Sequence, residues 1–190
     1  MPETSAQLDA ITDKLGAKVI GVSQPQGDDV VLLEAAGLRD SIRALKDDPR
    51  LNFDFLSDIT AVDYWKKKEP RFELVYHLVS LPRKARLRIR VPVTESDAAV
   101  DSLTPLWPGA NFLEREVWDL FGIRFNGHPD LRRVLLYDEF QGHPLRKDYP
   151  VNQWQPRVPE RQVEGTFVDE RSRNKLLRLR HSLGQKTKPS

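Results

Sequence analysis

Residues 84–93 alternate without a break: Ala85, Leu87, Ile89 and Val91 fall on one side, and Arg86, Arg88 and Arg90 on the other. A period of two sends successive side chains to opposite faces of an extended strand, so one face belongs in a core and the other points out. Just upstream, in residues 71–81, Phe72, Leu74, Tyr76 and Leu78 share one face and Val75, His77 and Val79 the other. Leu81-Pro82-Arg83 joins the two segments, so they read as antiparallel neighbours. A sheet with one apolar face must be covered by another layer. Any fold for this chain has to be built around that pair.

The surrounding segments supply the rest of an α+β domain. Thr4 and Gln7 have capping-box spacing, and Leu8, Ile11 and Leu15 then form a helical stripe that Gly16 ends. Residues 18–23 and 29–35 are short apolar runs separated by Gln24-Pro25-Gln26-Gly27-Asp28, the pattern of a hairpin. Leu38, Ile42 and Leu45 predict a second helix, closed by Pro49. Leu51, Phe53 and Phe55 alternate with polar neighbours and predict a further strand, and residues 96–106 read as a helix-turn region. Residues 111–121 predict a third helix. Asn111 and Glu114 would cap it, Leu113, Val117, Leu120 and Phe121 would form its apolar stripe, Arg115 and Asp119 would pair on the far side, and Gly122 would stop it.

After Phe125 the character changes. Pro129, Pro144, Pro150, Pro156 and Pro159 punctuate a stretch rich in His, Arg, Trp and Tyr. A long stretch without secondary structure is uncommon inside a compact domain, and this composition suits an ordered arm lying on another protein. The expected organisation is an α+β domain over residues 1–126, a small mixed sheet with flanking helices. An extended, Pro-rich interaction arm over residues 127–190 follows and ends in a basic tail. That tail carries Arg171, Arg173, Lys175, Arg178, Arg180, Lys186 and Lys188 with no acidic residue.

Composition removes whole classes of chemistry. With no cysteine, the chain can hold no disulfide, zinc ribbon, thiolate-ligated iron–sulfur cluster or cysteine nucleophile. Thirty basic against 28 acidic residues is too even a balance to announce a nucleic-acid binder. No apolar run approaches the ~20 residues of a membrane-spanning helix, and the first residues read as neither a secretory signal nor a transit peptide. Glu114 and Glu116 diverge by about 160–200° on a helix, which disfavours a shared acid–base pair. They read more simply as a cap and an ion-pair partner. His128 and His143, with Asp130 or Asp148, have the ligand types of a two-histidine, one-carboxylate metal site. Their 15-residue spacing specifies nothing, and hydrogen bonding to backbone is the simpler reading. Arg132, Arg133, Arg146 and Lys147 lie close to Asp130, Asp138 and Asp148, either bracing the arm or pairing with an acidic partner. A free-standing hydrolase would have to use Glu116, His143 and Asp148. A nucleic-acid module would have to use the tail with Arg86, Arg88 and Arg90.

Three blocks then narrow the reading: EREVWDLFGI at 114–123, GHPDLRR at 127–133 and GHPLRKDYP at 142–150. In order and spacing they resemble the C-subunit family of respiratory complex I, the proton-translocating NADH–quinone oxidoreductase. The mitochondrial 30 kDa subunit and its chloroplast J counterpart belong to the same family. Residues 45–64 and 71–81 are similar to it as well, so the resemblance covers residues 45–150 well and 4–44 more loosely. It implies a peripheral-arm subunit with no catalytic, cofactor or metal residues of its own. FMN and iron–sulfur clusters would reside on partner subunits. The chain would dock the D and B subunits and reach the cytoplasmic side of the inner membrane only through the complex. By that resemblance the docking surface draws on Glu114, Arg115, Glu116, Trp118, Asp119, His128, Asp130, Arg132, Arg133, His143, Arg146, Lys147 and Asp148. The equivalent subunit of a membrane-bound hydrogenase, or of a quinone oxidoreductase fed by another donor, is the alternative within the same resemblance.

Overall fold

The computed structural model describes residues 6–157. The basic tail and Thr4 lie outside the described residues. The described chain runs α1 (Ala6–Leu15), β1 (Val19–Ser23), β2 (Val30–Leu33), α2 (Leu38–Asp47), β3 (Phe55–Asp63), β4 (Phe72–Ser80), β5 (Ala85–Val93), β6 (Ala99–Asp101), α3 (Ala110–Phe121) and β7 (Arg124–Asn126). A five-stranded sheet has the order β1-β2-β5-β4-β3. Its β1–β2 hairpin and β3–β4–β5 meander are antiparallel, and parallel pairing of β2 with β5 joins them. The fold is therefore the expected α+β class with a mixed sheet and flanking helices.

The β4–β5 register stacks the inward faces predicted by alternation. Phe72 lies opposite Val93, Leu74 opposite Val91, Tyr76 opposite Ile89 and Leu78 opposite Leu87. These eight residues are buried, together with Leu8 and Ile11 of α1, Leu38, Ile42 and Leu45 of α2, and Val117 and Phe121 of α3. Each large aliphatic or aromatic side chain removed from water contributes about 1.5–3 kcal/mol, which makes this layer the main source of stability. On the other face the arginines do not simply point to solvent. Arg90 forms a bidentate pair with the buried Glu73 at 2.5 and 2.8 Å, joined by Lys68 at 3.0 Å. Arg88 meets Asp28 at 3.2 Å.

Several local expectations are corrected. Leu51 and Phe53 are not in a strand. Asn52 adopts φ 44° between them, and the amides of Leu51, Asn52 and Phe53 return to Asp48 and Leu45, closing the end of α2. Both side chains still enter the core, so burial from a loop imitated strand alternation, while Phe55 opens β3 exposed. Residues 99–101 form β6 rather than a helical turn, paired in parallel with β7 some 25 residues later. The Thr4–Gln7 cap lies outside the described residues; the Gln7 amide donates to Asp29 Oδ2 at 2.8 Å and to Arg86 O at 3.0 Å.

Candidate subunit interface

Helix α3 stops where Gly122 takes a left-handed conformation (φ 75°), its N–H returning to Trp118 O at 2.8 Å. The last carbonyls of any helix lack intrahelical donors. Here residues 143–146 supply them. His143 Nδ1–H donates to Asp119 O at 2.9 Å, Leu145 N–H to Leu120 O at 3.0 Å, and Arg146 Nε–H to Phe121 O at 2.6 Å. Gly122 is needed twice over, since a Cβ there would stand 2.6 Å from the His143 ring and 2.8 Å from the Arg146 guanidinium. Burial, with help from the Arg146 and Arg133 charges, lowers the His143 pKa against the pull of its bond to Asp119 O. The neutral ring is therefore favoured, and it stands edge-on to Trp118.

Asp119 is the centre of the first anchor. Its fully buried carboxylate accepts Arg133 Nη1–H at 2.6 Å and the N–H groups of Val134, Leu135 and Leu136 at 3.1, 2.9 and 2.9 Å. Burial pushes its pKa up, but the Leu136 amide, the Arg133 guanidinium and the other two amides outweigh it, and the net shift is down. Arg133 also donates to Phe140 O and Gly142 O at 2.7 and 3.1 Å. The expected Arg115–Asp119 pair does not form. Arg115 instead reaches Arg132 O and Arg133 O at 3.1 and 2.8 Å. Both helix residues are used to hold the arm, because nearly every polar group in 132–136 needs a partner once it packs against α3.

The second anchor lies at the β3–β4 end, and of its members the sequence singled out only Lys147 and Asp148, not Asp63, Arg71 or Glu95. Arg71 is buried and uses all five of its N–H donors. Two go to Asp63 (3.0 and 2.8 Å), two to Asp148 (2.6 and 3.2 Å) and one to Glu95 (2.6 Å). Asp63 also accepts the N–H groups of Trp65 and Lys147 at 2.9 and 2.8 Å. The Asp148 carboxyl is lowered first of all by Arg71. Asp63 is lowered as well, because Arg71 and the two amides outweigh its burial. The Arg71 and Arg146 guanidiniums lie over the Phe72 ring, 4.8 and 5.2 Å from its centroid. The signal in the sequence was the Asp63…Arg71 pair on the two sides of the β3–β4 connection, visible only once the register is known.

Glu114 is no cap. Gly109 precedes the helix, and the Glu114 side chain turns into the protein to accept Leu103 N–H at 2.6 Å. His128 follows the simpler reading. Its Nε2 meets Asn111 O at 3.2 Å and its Nδ1 accepts Asp130 N–H at 3.0 Å. Among the described residues, no group of three or more His, Asp or Glu is arranged to hold a metal ion. Glu116 is exposed, His143 is tied to Asp119 and Asp148 to Arg71, so nothing unites the three as a hydrolase would need.

Of the candidate interface residues, Glu114, Arg115, Asp119, Arg133, His143, Arg146 and Asp148 are engaged inside the chain. Glu116, Asp130, Arg132 and Lys147 are exposed, and Trp118 and His128 half-buried. Arg132, with its side chain 69% exposed, pairs among the described residues with Asp130 at 2.9 Å. The arm also presents an apolar surface that charge patterns did not flag: Leu135, Tyr137, Leu145, Val151 and Trp154, the last 86% exposed. Phe140 stacks on Tyr149, and Gln155 bonds both Gln141 and the Tyr149 hydroxyl, which orders the backbone beneath that surface.

Known proteins are similar to this chain in sequence and fold. The sequence model of the family described as respiratory-chain NADH dehydrogenase, 30 Kd subunit, matches residues 31–155, from β2 through both anchors. The NADH-quinone oxidoreductase C subunit of Trichlorobacter lovleyi is 46% identical over 151 residues, 80% of this chain and 92% of its own. The C subunit of Geobacter sulfurreducens is 43% identical over the same shares. Among solved structures, a trypsin-resistant fragment of Nqo5 is 39% identical with a TM-score of 0.58, covering 66% of this chain and 99% of its own. A chain of the membrane-bound sulfane sulfur reductase, an archaeal respiratory membrane complex, is 26% identical with a TM-score of 0.66, covering 76% and 84%. With the sheet, α3 and both Gly-His-Pro blocks inside the matched region, the chain belongs to the 30 kDa, or C-subunit, family of the respiratory-chain NADH–quinone oxidoreductase, complex I.

Proposed function

We propose that this chain works as a cofactor-free scaffold in the peripheral arm of the complex. It docks the D and B subunits so that electrons pass from NADH through FMN and iron–sulfur clusters to quinone. The docking face is the outer surface of the arm: Arg132 and Lys147 with Leu135, Tyr137, Leu145 and Trp154. The observation that carries this reading is the division of labour in the arm. Its inner side is satisfied by Asp119, Asp63 and Arg71, and its outer side leaves large apolar and aromatic groups in water. Aromatic residues and arginine are the residues enriched at interface hot spots. Fixed positions are what such a scaffold supplies, and a backbone pinned at two buried ion-pair clusters suits that task. The chain reaches the cytoplasmic side of the inner membrane through its partners; among the described residues no helix is long and apolar enough to cross a membrane.

The equivalent place in a complex with another electron donor is the second reading, favoured by the 26% identity to the sulfane sulfur reductase chain. Identities of 43–46% to NADH–quinone oxidoreductase chains weigh against it. The test is affinity recovery of the tagged chain from its host in mild detergent, comparing the natural chain with the triple variant Arg132→Glu, Lys147→Glu, Trp154→Ala. The natural chain should bring down the B and D subunits with NADH–quinone activity. The variant should keep its thermal stability and lose at least about tenfold of the recovered partners, the scale of one or two hot spots. Normal assembly of the variant removes the arm from the docking role; recovery of a complex without NADH oxidation favours the second reading.

A further inference from the structure

Five acidic side chains are buried among the described residues: Asp48, Asp63, Glu73, Glu114 and Asp119. Four of them have a cation at hand. Asp48 meets Arg50 at 3.1 Å and Lys14 at 3.4 Å, Asp63 meets Arg71 at 2.8 Å, Glu73 meets Arg90 at 2.5 Å, and Asp119 meets Arg133 at 2.6 Å. Glu114, which is fully buried, has no such ion pair among the described residues. The cation whose charge reaches it, Arg39 of α2, donates instead to Ser102 O and Asn126 O at 2.7 and 3.1 Å. Glu114 Oε1 accepts Leu103 N–H, while Oε2 has no hydrogen-bond partner. On β4, the hydroxyl of the fully buried Tyr76, which the Glu114 charge reaches, also lacks a partner.

An ionised carboxylate buried without a counter-ion is strongly disfavoured, whereas the neutral acid tolerates this setting. We propose that Glu114 is a buried proton-binding site: the loop of residues 102–107 stays packed on α3 while the carboxyl is neutral, and its ionisation, with the proton passing to solvent, opens that loop so that water can reach the carboxylate. Burial raises the Glu114 pKa to about 7, only partly opposed by the Ser102 hydroxyl, the Leu103 amide and Arg39. Tyr76 stays neutral throughout, since burial and the charges of Glu114 and of Asp101 on β6 hold its pKa well above the usual value. The loop matters because it ties α2 to the start of β3. Leu106 O accepts Lys46 Nζ of α2 at 3.0 Å, Trp107 Nε1–H donates to Asp54 O just ahead of β3 at 2.9 Å, and Ser102 O holds Arg39.

The experiment uses the full chain labelled with carboxyl-¹³C glutamate, together with Glu114→Gln and Tyr76→Phe. One glutamate resonance, absent from Glu114→Gln, should titrate near neutrality, about two units above the others. In the natural chain the hydrogen-exchange protection factor of the Leu103 amide should fall about tenfold between pH 5.5 and 8.5, and in Glu114→Gln it should stay flat. Tyr76→Phe should keep both the titration and the exchange step. If every glutamate of the natural chain titrates in the ordinary range, or if Leu103 protection is equally pH-independent in both proteins, the proposal is overturned. Should Glu114→Gln fail to fold, the natural chain's titration and Leu103 profile decide on their own.

Discussion

Asp119 shows how much one side chain can organise. Four donors converge on its two oxygens, three of them consecutive backbone amides of the arm. A carboxylate can accept all four at once; an amide of the same size cannot, because half of it is a donor. Asp119→Asn would leave amides unsatisfied and the largely buried Arg133 guanidinium without its counter-charge. Breaking a buried pair in this way costs about 3–5 kcal/mol. The check is urea unfolding, with the midpoint falling and the Leu135 and Leu136 amides losing exchange protection; an unchanged midpoint would contradict the hub role. Asp119 was visible in the sequence as one half of an i, i+4 pair with Arg115. That spacing was correct geometry on the helix surface, but the arm covers that surface and takes both partners.

At the scale of the element, α3 is best described by how it ends. Its C-terminal carbonyls are satisfied by a segment more than twenty residues later in the chain, and Gly122 lets that segment approach. Gly122→Ala would place a methyl group within 3 Å of His143 and Arg146 and force an alanine to φ 75°. The backbone alone costs about 1–2 kcal/mol, and the displaced side chains add to it. Trypsin should then cut after Arg146 faster than in the natural chain while α3 itself persists by circular dichroism. Equal cleavage rates would mean that the arm does not depend on this close approach. Gly122 as a helix stop was legible from sequence, because a glycine after a periodic stripe needs only local chemistry. Its second role was not, since the clash it avoids is with residues 143 and 146.

For the whole molecule, the perturbed acids set two opposed pH dependences. The carboxyls of Asp63, Glu73, Asp119 and Asp148 all lie below their usual values in the folded chain. Their contribution is complete once the unfolded chain is ionised, above about pH 4–4.5, and is lost as pH falls through the folded values. His143, held neutral by burial, adds to the same acid limb. Glu114 works the other way. With a folded pKa of about 7 against 4.5 unperturbed, it costs nothing below pH 4.5 and progressively more up to neutrality, reaching about 3 kcal/mol. Stability should therefore decline on both sides of a mildly acidic maximum. Urea midpoints from pH 3 to 8 check this. Glu114→Gln should keep the acid limb and flatten the neutral one; a neutral limb surviving in that variant would assign it to another group.

Strand alternation, helix stripes and stop signals depend on neighbours a few residues away, so residues 71–93 and helices α1, α2 and α3 could be read from sequence alone. The blocks at 114–123, 127–133 and 142–150 were equally local facts, and their order and spacing carried the resemblance to the family, while the absence of cysteine only excluded chemistry. The false strand at Leu51 and Phe53 arose because burial has more than one backbone route. The choice between an arm braced on its own domain and one spread on a partner needed partners 14 to 84 residues apart: Arg133 and Asp119, Asp148 and Arg71, Lys147 and Asp63. Which acids are paired and which is isolated was likewise fixed only by packing. A carboxylate's charge state depends on what surrounds it in three dimensions, and spacing along the chain carries no record of that.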